Sequence, residues 1–60
     1  MYNMDRTQLL ARRLVQLEHM EKEQKWVPED IAESNLRIIR DEIKYVTWEI
    51  NTILYQIEND

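Results

Sequence analysis

Cysteine, glycine and phenylalanine are absent from this 60-residue chain, and proline occurs once. Each absence excludes something. Without cysteine there are no disulfides and no thiolate metal sites. Without glycine, hardly any backbone position can demand a positive φ, so strands joined by tight turns are disfavoured. No apolar run approaches the ~18 residues of a membrane span. The opening Met1-Tyr2-Asn3-Met4-Asp5-Arg6 lacks a basic segment followed by an apolar core, so it does not read as a secretory signal. The expectation is a cytoplasmic protein that makes no use of a membrane.

What remains is short and acidic. Sixty residues make one domain at most. A chain of that size buries only about 60% of the surface it exposes when unfolded. Small domains compensate with disulfides, a metal or association with other chains. The first is excluded, and one histidine, His19, cannot build a metal site without several well-placed carboxylates. Association is the route left. The net charge of −4 is uneven. Residues 1–27 carry five basic and four acidic side chains, giving +1, and residues 28–60 carry three and eight, giving −5. An acidic total argues against nucleic acid as a partner, because phosphate neutralisation supplies most of that affinity. It suits a protein whose targets are basic.

The strictest pattern lies in the second half. Ala32, Leu36, Ile39, Ile43, Val46, Ile50, Ile53 and Ile57 recur at alternating steps of four and three. That is the apolar seam of a long helix built to lie against other helices. Leu10, Leu14 and Leu17 mark a matching face in the first half, widened by Leu9 and Met20 on one side and by Ala11 and Val15 on the other. The spacing predicts a single all-α domain over residues 1–60: a first helix over about 5–25, a turn at 26–27 and a second helix over about 28–58. Asp5 with Gln8 offers a capping box at the first helix start. Pro28 disfavours helix at Val27 and suits a first helical position, with Glu29 and Asp30 following at the positive end of the helix dipole.

Folded antiparallel about the break, facing residues have numbers summing to about 56. Leu17 then meets Ile39, Leu14 meets Ile43 and Leu10 meets Val46. The same register brings Arg13 near Glu42 and Arg6 near Glu49. Such pairs are worth at most ~1 kcal/mol each, but they favour this register over slipped ones. Beyond that point cover runs out: Ile50 would face Thr7, Ile53 would face Asn3 and Ile57 nothing. Burying one isoleucine is worth about 1.5–3 kcal/mol, so these residues, with Val46, are expected at an interface with a second copy. A homodimeric four-helix bundle with the second helix at its centre follows.

A further line runs along the other side of the second helix. Ile31, Ile38 and Tyr45 recur at seven-residue steps, and Trp48, Thr52 and Tyr55 extend them. Apolar character on two faces implies burial on more than one side. Trp and Tyr are enriched in binding hot spots, so Tyr45, Trp48 and Tyr55 are the expected contacts with a protein partner, with Trp26 at the turn as an outlying candidate.

No catalytic, cofactor or metal motif stands out, so the chain is not expected to be an enzyme or to need a cofactor. His19 is preceded three residues earlier by Gln16, a poor ligand, and points away from the leucine stripe. Asp41 and Glu42 are adjacent and point to different faces, so they are no paired-carboxylate site. Met1, Met4 and Met20 read as packing residues. In architecture the chain is similar to the Rop-type plasmid copy-number regulators, helical hairpins that dimerise and bind RNA through their first helices; Arg6 and Arg13 share a line here, but Arg12, Lys22 and Lys25 are scattered. It also resembles in size the small aspartyl-phosphate phosphatases of sporulating bacteria, which carry Ser-Gln-x-Leu-Asp a few residues after a proline. Here Ser34-Asn35-Leu36-Arg37-Ile38 follows Pro28, with Asn35 in place of the Gln and Ile38 in place of the Asp. The expected role is a small non-enzymatic regulator or adaptor acting by helix-mediated protein binding, in the manner of inhibitors, anti-repressors and assembly chaperones of phages and bacteria. Rop-like RNA binding and phosphatase activity are the alternatives.

Overall fold

The computed structural model describes residues 2–59, with side chains from Arg6 onward. Two helices account for nearly all of it. Helix α1 spans Tyr2–Glu23, a short 3-10 turn spans Gln24–Trp26, and helix α2 spans Glu29–Asn59. The described residues contain no strand. The molecule measures 47 × 15 × 11 Å, so its length is that of α2, whose 31 residues rise about 1.5 Å each.

The break is built by proline chemistry. Val27 takes φ −102° and ψ 144°, the extended conformation that a following proline imposes. Its N–H closes the 3-10 turn on the Gln24 carbonyl at 3.1 Å. The Pro28 carbonyl then accepts the first α2 bond from the Ala32 N–H at 2.8 Å. Proline thus starts the helix without needing the N–H it lacks. Glu29 and Asp30 occupy the first turn of α2, as its dipole favours.

The core is a single file. Leu17, Ile39 and Val46 are buried together, and Leu10, Leu14, Ile43 and Ile50 pack around them. Ala32 and Ile53 are buried further along α2. The expected register is present: Arg13 Nε meets Glu42 at 2.7 Å and Arg6 Nη2 meets Glu49 at 2.8 Å.

Two expectations are corrected. Helix α1 does not begin at Asp5: its backbone is helical from Tyr2, through the Asp5–Gln8 segment, and it gives way to the 3-10 turn after Glu23. Three further residues lengthen α1 by about 4.5 Å alongside the far half of α2. The second correction concerns Ile53. Ile53 is not left wet in a single copy; it is 8% exposed, and Ile50 is half-buried. Only Ile57 stays largely open, at 47%.

Candidate interaction surface

Helix α2 presents its seam to α1 and keeps a second apolar line on the outside. Ile31, Ile38, Tyr45, Trp48 and Tyr55 are each more than half exposed. The seven-residue spacing that sets their common face also keeps them off the seam.

The centre of this line is held in place. Tyr45 and Trp48 lie with ring centroids 6.5 Å apart and planes 28° from parallel, an offset-stacked geometry. The Tyr45 hydroxyl donates to Glu49 Oε1 at 3.0 Å. Glu49 is itself gripped by Arg6, whose Nη2 donates to both carboxylate oxygens at 2.8 Å. One ordered chain therefore runs from α1 through Glu49 to the aromatic pair. The hydrogen bond to Glu49 and its negative charge push the Tyr45 phenol above its ordinary pKa, because the carboxylate favours the protonated hydroxyl. Thr52 Oγ1 donates back to the Trp48 carbonyl at 2.8 Å, satisfying its hydroxyl within the helix.

Polar couples tie α2 to α1 and to the 3-10 turn along this edge. Besides Arg6–Glu49, Arg13 donates through Nε to Glu42; that hydrogen bond lowers the Glu42 carboxyl below its usual range and raises the Arg13 guanidinium. Near the turn, Asn35 Nδ2 donates to Gln24 Oε1 at 3.0 Å, while Gln24 Nε2 donates to the Met20 carbonyl at 3.1 Å. Gln24 thus caps the end of α1 and ties it to α2. Between Met20 and Ile38 this edge dips into a shallow, open depression of about 260 Å³, floored by Ile39. On the opposite edge Arg40 donates to Glu21 at 2.9 Å. Register arithmetic missed the Gln24, Asn35, Glu21 and Arg40 contacts, because long side chains reach diagonally and the 3-10 turn shifts the phase of the last turn of α1.

The residues singled out in the sequence separate into distinct environments. Tyr45, Trp48 and Tyr55 share the outer face of α2. Trp26 stands apart at the turn, 80% exposed, with the Lys25 ammonium 5.1 Å from its ring centroid. Of the four residues assigned to a copy-to-copy contact, Val46 and Ile53 are enclosed by the hairpin itself, Ile50 is half-covered and Ile57 is the open one. Arg6 and Arg13, which would face phosphates in a Rop-like arrangement, are each held by a glutamate. Ser34 is exposed on α2. His19 lies 3.4 Å from Glu23 on the open surface of α1. Among the described residues no cluster of three metal-ligating side chains occurs, and no helix is long and apolar enough to cross a membrane. No family model matches the chain, and no curated protein or solved structure matches it either.

Proposed function

We propose that this chain is a small non-enzymatic regulator or adaptor that works by helix-mediated protein–protein binding, and that it associates with a second copy into a four-helix assembly. One observation carries the reading: five large apolar side chains, three of them aromatic, stand on the outer side of α2, each more than half exposed. Scattered exposed apolar residues are ordinary, whereas several large ones aligned on one side of a helix mark an interaction surface. An aromatic anchor held by a hydrogen bond, as Tyr45 is by Glu49, loses little side-chain freedom on binding, which favours affinity. The excess of acid in residues 28–60 favours a partner with basic residues at its rim.

The test compares immobilised wild type with Trp48→Ala as baits. A protein retained by the wild type and lost by the variant, with helicity unchanged by circular dichroism, is the expected outcome. Equal retention by both would assign the aromatic face to packing and remove the reading.

A further inference from the structure

We infer that the outer face of α2 is occupied by the same face of a second copy, running antiparallel, with the two-fold axis passing between Asp41 and Tyr45. The inference rests on the reading of this face as protein-binding and names its occupant.

The first argument is area. The chain exposes 5180 Å², whereas a compact monomer of 7.4 kDa exposes about 4,200 Å². The surplus of roughly 1,000 Å² is close to the ~800 Å² that one partner contributes to a standard interface. It arises because the molecule is a rod only one helix thick around its seam, and covering one long side of the rod would remove it.

The second argument is self-complementarity. From Ile31 to Tyr55 the outer face repeats at alternating steps of three and four, as a second seam does. An isologous contact requires that a face match itself when turned end for end. This one does. About that axis, Ile38 meets Trp48 of the second copy, and Ile31 meets Tyr55. Both of these layers pair an aliphatic side chain with an aromatic one. Between them Ser34 meets Thr52, hydroxyl against hydroxyl. The fourth layer sets Asp41 against Tyr45, with Lys44 of the second copy bordering the same layer.

The third argument excludes the parallel alternative. A parallel pair would stack Asp41 on Asp41 within the interface, and two carboxylates cannot share such a site without one being neutralised. Turned antiparallel, each Asp41 is instead bordered by Lys44 of the second copy, twice over by symmetry, while the Tyr45 hydroxyl keeps its proton on Glu49. The flanking rows decide less, because their acids Glu42 and Glu49 are already held by Arg13 and Arg6 within one chain.

The absence of cysteine makes the test clean. Ser34→Cys and Thr52→Cys variants of the full chain are oxidised mildly, separately and mixed, after circular dichroism confirms wild-type helicity. The expected result is a covalent dimer in the mixture and little in either sample alone, since like positions lie about 27 Å apart at 1.5 Å per residue. Wild-type sedimentation at matched concentration should report a dimer. A disulfide formed between two copies of the Ser34→Cys variant would mean parallel pairing and overturn the inference. A monomeric wild type at 100 µM or so would overturn it too; if Trp48-dependent capture then persisted, the broader binding reading would survive its loss. Cross-linking in the expected register, with Trp48→Ala still retaining every client protein, would support the inference and remove the client-binding reading.

Discussion

Two kinds of residue hold the hairpin in register, and they act under different conditions. Leu17, 1% exposed, works wherever water is the solvent, because its contribution is removal of apolar surface. The Arg13–Glu42 pair works only while the glutamate is ionised. Hydrogen bonding to Arg13 lowers the Glu42 pKa in the folded state. A depressed acid stabilises the fold above its unfolded pKa, and the contribution fades as pH falls through the folded value. The gap in melting temperature between the wild type and Arg13→Gln should therefore be widest near neutrality and close in the acid range below ordinary glutamate titration. A gap that stays constant down to pH 2 would show that Arg13 acts through packing of its methylene stem. The alkaline side of the same titration concerns Tyr45. Its raised pKa means that the hydroxyl bond to Glu49 contributes below the ordinary phenol range and is lost as pH rises through the folded value.

At the level of the helix, much of the fold was legible in the pattern of side chains, because independent signals agreed. The four-three steps of α2 and the leucines of α1 fix one antiparallel register, and the Arg6–Glu49 and Arg13–Glu42 pairs demand the same one. The break was legible at Val27-Pro28, where covalent geometry leaves little choice. The outer line of α2 was legible from its seven-residue spacing, and it is exposed as expected. The start of α1 was not: Asp5 with Gln8 resembles a cap, yet no breaker stands among the residues before it, and the helix runs through from Tyr2. The burial of Ile53 was missed as well. The role of Gln24 was invisible because its two hydrogen bonds exist only once the 3-10 turn places it over α2. Gln24→Ala removes a partner of Asn35 and a donor to the Met20 carbonyl together, each bond worth about 0.5–1.5 kcal/mol net. In a double-mutant cycle with Asn35→Ala in urea, a coupling of about 0.5–1.5 kcal/mol is expected; a value near zero would show that both side chains are satisfied equally well by water.

The whole molecule is a rod with a core one side chain wide, and its stability follows from that shape. A domain of 60 residues holds roughly 3–9 kcal/mol at ordinary per-residue values. A core of a few leucines, isoleucines and valines places this chain toward the lower end when alone. Covering the outer face of α2 with a second copy would bury Ile38 and Trp48, each contributing about 1.5–3 kcal/mol when fully enclosed. Folding and association would then be linked, and the melting temperature would rise with protein concentration. Unfolding entropy near 2.1 cal/mol/K per residue gives about 0.25 kcal/mol/K for two chains. A tenfold rise in concentration is worth about 1.4 kcal/mol in the dimer equilibrium, so the midpoint should move up by about 6 °C per decade. The Ile38→Glu variant places a carboxylate against Trp48 of the second copy while leaving the seam intact. Its midpoint should be lower and independent of concentration, with the helical spectrum preserved at low temperature. A wild-type midpoint that does not move between 5 and 500 µM or so would mean that the hairpin is sustained by its narrow core alone, and the exposed line of α2 would then have to be explained by a client protein rather than by a twin.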